Sequence, residues 1–149
     1  MIDLYKKASK VPGIMKITIG SGIRYDFLAQ DNEVNHFKEY FRDLVKHHVS
    51  GRLKVAPEHS SEEVLNIMRK PDFELFKSLY REFKKINREN QNHQQLIPYF
   101  ISSHPGCKLQ DMAQLAIITK EMGFKLEQVQ RFYDIMIKML IIKLHIYNY

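Results

Sequence analysis

Cysteine is nearly absent from this chain: Cys107 is the only one in 149 residues. A single thiol excludes an internal disulfide framework, so the fold has to rest on its core. No charged segment followed by an apolar run opens the sequence, which argues against a secretory leader and makes a cytoplasmic location the expectation. Gly/Ser-rich, Pro-rich and repetitive stretches are missing too, so a single compact domain is expected. Apolar runs are short. The closing segment "DIMIKMLIIKLHIYNY" contains lysines and is too short and too charged to span a bilayer.

Positive charge is in modest excess, with 23 Lys and Arg against 17 Asp and Glu and a formal net charge of +6. That balance suits an anionic partner such as nucleic acid or a phosphorylated small molecule. The basic residues are scattered, however, as in "RDLVKHH" and "YREFKKINR", and such patterns also describe solvated helix faces.

Segments of two periodicities alternate. "MKITIG" (15–20) is β-branched and apolar with a glycine stop, the pattern of a strand. Val34, Phe37, Tyr40, Phe41, Leu44 and Val45 recur at helical spacing, with Asp31 or Asn32 as the N-cap. "LKVA" (53–56) is strand-like, and Ser60 with Glu63 forms an S-x-x-E capping box for a short helix that Pro71 ends. A longer helix carries Phe73, Phe76, Leu79, Tyr80, Phe83 and Ile86 on one face. "QLIPYFIS" (95–102) reads as a third strand, marked by Pro98 as irregular or ligand-adjacent. Met112, Leu115, Ala116, Ile118 and Thr119 belong to a helix stopped at Gly123, and "FKLEQVQRF" (124–132) alternates as a fourth strand. This alternation predicts an α/β fold of parallel βαβ units.

In parallel α/β folds ligands gather at the carboxyl ends of strands. Polar clusters fall at each such end here: "GSGIRYD", "PEHSS", "SSHPGC" and "QVQ". Each also has a plainer explanation. Gly20 and Gly22 would serve a positive-φ turn as well as a close approach to a ligand. Arg24 and Asp26 would make a surface pair of little energetic weight, Ser60 and Ser61 suit helix capping, and Glu58 with His59 would serve as an ordinary loop pair. Glu58, His59 and His104 have the chemistry of zinc or iron ligands, but no H-x-x-x-H spacing supports a metal site. A Cys107 and His104 nucleophile pair is weighed against a small loop residue near a helix start. No P-loop or dinucleotide fingerprint occurs, because "GSGIRYD" lacks the third glycine and an immediate helix.

The segments "IGSGIRYD", "HHVSGRLKVAPEHSSEEVLNIMRKP", "QLIPYFISSHPGC" and "GFKLEQVQRFY" resemble, in order and spacing, the carboxyl-terminal part of the YgiQ-type radical SAM proteins, over about residues 8–133. The resemblance implies a partial TIM-like barrel, with this chain supplying about four later parallel strands and their helices. It also implies iron–sulfur chemistry: in the family a C-x-x-x-C-x-x-C loop holds a [4Fe-4S] cluster that cleaves S-adenosylmethionine (SAM) to a 5′-deoxyadenosyl radical. With one cysteine this chain lacks that loop and is expected not to bind the cluster itself. By position, the resemblance implies that Ser21, Arg24, Glu58, His59, Ser102, Ser103, His104 and Gln130 face the SAM cavity, with Glu58 and Arg24 pairing the two charges of its amino-acid head.

After "QVQRFY" the chain departs from the family pattern. Residues 1–133 are therefore expected to form a partial radical SAM-like βα domain, and 134–149 a divergent tail, either translated out of frame or packed as an amphipathic segment over exposed sheet. The expected function is that of a radical SAM enzyme fragment, inactive alone, with residual SAM binding. Its expected partner is the missing N-terminal half or a second copy, because a half barrel leaves two sheet edges open; no membrane partner is expected. The alternative is a noncatalytic module that holds RNA or protein through its basic helix faces. A hydrolase built on Glu58, His59 and His104 finds no nucleophile with a base and an orienting group in the spacing.

Overall fold

The computed structural model describes residues 2–26, 34–124 and 128–131. Strand β1 (Arg52–Glu58) alternates: Leu53, Val55 and Pro57 are buried while Arg52 and Lys54 face water. Strand β2 (Gln95–Ser102) is buried as a run through Leu96, Ile97, Pro98 and Phe100, because it is the central strand of a small parallel sheet ordered β1-β2-β3. Strand β3 (Gln128–Arg131) runs parallel to β2, with Tyr99 opposite Gln128 and Ser102 opposite Arg131. Pro98 sits one residue before that ladder, so its missing N–H breaks none of those bonds. The helices are α1 (Ile2–Ala8), α2 (Val34–His47), α3 (Glu62–Ile67), α4 (Phe73–Glu89) and α5 (Leu109–Glu121). Among the described residues, no helix is long and apolar enough to cross a membrane.

The chain divides into two compact units. The first comprises residues 1–56 and 74–97. Its buried apolar residues include Phe41, Leu44 and Val45 on the stripe of α2, Phe76, Leu79, Phe83 and Ile86 on that of α4, and Leu53 and Val55 of β1. Phe37 stacks on Phe41 at 5.9 Å, and Tyr25 meets Phe76 edge-on at 6.2 Å. Gln94 satisfies the end of α2: its side-chain amide donates to the carbonyls of Val45 (2.9 Å) and Val49 (3.1 Å).

The second unit comprises residues 57–73 and 98–149. Its buried residues include His59, Val64, Leu65, Phe73, Phe100, Leu115 and Thr119, with the Phe73 and Phe100 rings 6.4 Å apart. The Thr119 hydroxyl donates to the carbonyl of Leu115 one turn earlier (2.8 Å).

Several expectations are corrected. The described sheet has three strands, and "MKITIG" is not among them. Met15 is fully exposed, and the Ile19 N–H goes to the His48 carbonyl (2.9 Å) rather than to a strand of the described sheet; strand propensity counts only where a neighbouring strand supplies a ladder. Contact with β1 comes later, where Ile23 makes an isolated parallel bridge to Val55. Gly22 permits it: a Cβ there would stand 3.2 Å from the Lys54 carbonyl oxygen, so the close approach is to backbone. The capping box on Ser60 does not form. The N-cap of α3 is Ser61, whose side chain makes no capping bond because its hydroxyl goes to Asp111. Helix α1 had no sequence expectation; its Tyr5 ring lies 4.5 Å from that of His48. The Asp31 and Asn32 caps and the 134–149 tail lie outside the described residues.

Candidate functional site

Strand β1 ends in a tight turn. The His59 N–H donates to the Pro57 carbonyl (2.8 Å) across Glu58, whose φ is +66°. An i to i+2 bond closed over a positive φ is the rarer, strained form of γ-turn, and a non-glycine residue holds it only when its surroundings enforce it. The Glu58 side chain is 17% exposed and pairs with Lys70 Nζ at 3.1 Å. Lys70 is placed by the end of α3, where Arg69 turns left-handed (φ +53°) and the Lys70 N–H returns to the Leu65 carbonyl (2.9 Å).

Strand β2 ends in a similar way. Ser103 is left-handed (φ +57°), and "HPGC" closes through the Cys107 N–H on the His104 carbonyl (2.8 Å). Proline second and a left-handed glycine third, Gly106 at φ +91°, make this a type II turn. A Cβ on Gly106 would also stand 2.6 Å from Ile67 Cδ1. The ends of β1 and β2 thus each carry a left-handed residue that is not glycine.

His59 joins these ends. Its ring has no exposed surface; Nδ1 accepts the Ser61 N–H (3.0 Å), and Nε2 faces Cys107 Sγ at 3.4 Å. Acceptance at Nδ1 places the proton of the neutral ring on Nε2. Burial pushes the imidazole below its ordinary pKa, opposed by the Asp111 charge and reinforced by His104. Burial, then the Asp111 charge, push the Cys107 thiol up, while the Ser103 backbone N–H pulls it down. The net result is a thiol, not an activated thiolate. The Asp111 carboxyl is held below the carboxylate range first by the Lys108 N–H (2.8 Å), against some desolvation, and further by the Ser61 hydroxyl.

Glu58, His59, Ser102, Ser103, His104 and Gln130 all belong to the second unit, whereas Ser21 and Arg24 belong to the first. Ser21 is exposed, and Arg24, 75% exposed, is ion-paired with Asp26. Gln130 is exposed on β3 opposite Ile101. The Cys107 thiol faces the His59 ring at 3.4 Å, while its backbone N–H closes the "HPGC" turn on the His104 carbonyl. Sequence reasoning missed Lys70 and Asp111; the second had a local signal, an acidic residue three positions into a helix that starts after "HPGC".

The iron–sulfur character that the resemblance implies does not hold for this chain. It has one cysteine, and among the described residues no group of three or more His, Cys, Asp and Glu could hold a metal ion. The Glu58, His59 and His104 metal set falls with it.

The fold and its strand ends define an α/β segment with a small parallel sheet whose carboxyl ends are polar and strained. That segment matches part of the larger UPF0313 proteins. It is 58% identical over 136 residues to a UPF0313 protein of Bacteroides thetaiotaomicron and 54% identical over 136 residues to one of Porphyromonas gingivalis, each match covering 89% of this chain and 22% of the relative. A UPF0313 protein of Shewanella oneidensis is 48% identical over 132 residues, which are 16% of its length. The chain therefore spans about a fifth of the length of these relatives, 22% of the first two. No family model matches, and no solved structure matches.

Proposed function

We propose that this chain is the SAM-facing part of a radical SAM-type barrel, with Glu58 taking the ammonium of the SAM amino-acid head. Ser102 at the end of β2, Ser103 and His104 in the loop after it, and Gln130 on β3 would supply the remaining polar contacts. The observation that carries this reading is the Glu58 carboxylate itself: largely buried, set on a strained turn at a strand end, and already 3.1 Å from an ammonium, that of Lys70. A carboxylate so placed favours a cationic amine through a charge-assisted hydrogen bond. The residues also leave a group for a ligand to satisfy, since Ser60 Oγ is buried with no partner. The four quoted motifs, which resemble those of radical SAM proteins, support the same reading. Bound SAM supplies an activated sulfonium; this chain's residues bind and orient its head.

A thermal-shift comparison of S-adenosylhomocysteine, adenosine and methionine tests the proposal. S-adenosylhomocysteine is expected to raise the melting temperature more than adenosine, which lacks the ammonium. No shift with millimolar S-adenosylhomocysteine would contradict it.

A further inference from the structure

We infer that His59 is a positioning residue whose ring straps the β1–α3 loop (57–61) to the β2–α5 loop (103–107), so that the Glu58 and Ser103 turns are held as one body. The effect on affinity rests on the reading of Glu58 as a ligand contact; the coupling rests on geometry alone.

The strap has three bonds around one fully buried residue. The His59 N–H closes the Glu58 turn on Pro57 (2.8 Å), Nδ1 takes the Ser61 N–H (3.0 Å), and Nε2 reaches Cys107 Sγ (3.4 Å). Cys107 continues the path: its own N–H closes the "HPGC" turn on the His104 carbonyl (2.8 Å), one residue after the left-handed Ser103. Each left-handed residue that is not glycine stores backbone strain and persists only where the surroundings over-determine it. The strap is such a surrounding, and it touches both strained turns. Asp111 adds a parallel tie, accepting from the Ser61 hydroxyl and the Lys108 N–H.

Neutral histidine suits this place because it accepts at one ring nitrogen and donates at the other. Asparagine offers an acceptor near the Nδ1 position and does not reach the sulfur; glutamine reaches toward the sulfur and leaves the Ser61 N–H unpaired. An imidazolium would set one donor against another at Ser61. The ionisable groups facing the ring are Asp111, His104 and Cys107.

The test uses the full chain, 15N-labelled, with long-range ring spectra of His59, amide hydrogen exchange, and S-adenosylhomocysteine titration. The ring should show protonated Nε2 and bare Nδ1. Cys107→Ala should raise exchange at the Ser61 and His59 amides by about tenfold, the size of one ordinary hydrogen bond, although neither amide touches the sulfur. His59→Asn should keep Ser61 protected and loosen Ser103 and Cys107, and His59→Gln should do the reverse; where these fail to fold, Cys107→Ala decides. Unchanged exchange at Ser61 and His59 in Cys107→Ala would overturn the inference, as would parent and variants binding S-adenosylhomocysteine equally well. A parent chain that binds none removes the ligand reading alone, and the exchange pattern then decides the strap.

Discussion

His59 Nε2 lies 3.4 Å from Cys107 Sγ, joining two residues 48 positions apart at the ends of neighbouring strands. With the ring proton directed at sulfur and the thiol pushed up by burial, the pair is the reverse of an activated nucleophile and its base. Cys107 should therefore react with iodoacetamide more slowly than a free thiol at neutral pH, and at the ordinary rate in denaturant. Alkylation of the folded chain faster than of the unfolded chain would rule this out.

Glu58 sets stability against binding. Glycine accepts φ +66° without penalty, so Glu58→Gly should raise unfolding stability by about 1 kcal/mol while removing ligand binding. Glu58→Val, with a branched Cβ, should lower it by about 1–3 kcal/mol. Denaturant unfolding of the three proteins checks the order; a less stable glycine variant would mean that the Lys70 pair outweighs the strain.

Acid should destabilise the fold in two stages. His59 has a folded pKa below its unfolded value, so the unfolded chain takes up more protons and stability falls as pH drops from about 6.5. Asp111 is depressed, chiefly by the Lys108 N–H; its stabilisation is present above about pH 4 and is lost as pH falls through the folded value. Urea midpoints followed from neutral to acid pH should fall in both stages. Asp111→Asn should flatten the second stage only; a parent midpoint constant down to about pH 4 would contradict the assignment of His59 as a buried neutral ring.

Gly106 is required by its φ of +91°, while the 2.6 Å that would separate an added Cβ from Ile67 Cδ1 falls on the free end of an exposed side chain that can turn away. Gly106→Ala should cost about 1–3 kcal/mol, and adding Ile67→Ala should relieve the contact without relieving the backbone strain. Full recovery in the double variant would show that φ contributes little.

Periodicity made the helical stripes legible: Phe37, Phe41, Leu44 and Val45 on α2, and Phe76, Leu79, Phe83 and Ile86 on α4, are buried as their spacing implies. It failed at "MKITIG", where the pattern is right but, among the described residues, the segment joins no strand of the sheet. The S-x-x-E box failed because Ser61, one residue along, became the N-cap and gave its hydroxyl to Asp111, a partner that only the tertiary fold brings near. At the site, the sequence marked "PEHSS" and "SSHPGC" as polar strand ends. It did not reveal that Glu58 and Ser103 are left-handed, or that His59 turns inward toward Cys107, since both depend on long-range packing.

Calorimetric titration of S-adenosylhomocysteine into the parent chain, Glu58→Gln and Lys70→Met tests the central claim most directly. The parent should bind, Glu58→Gln should bind at least about tenfold more weakly, and Lys70→Met should bind more tightly because the competing ammonium is gone. No heat from the parent at millimolar ligand, or equal affinity in Glu58→Gln, would contradict the account.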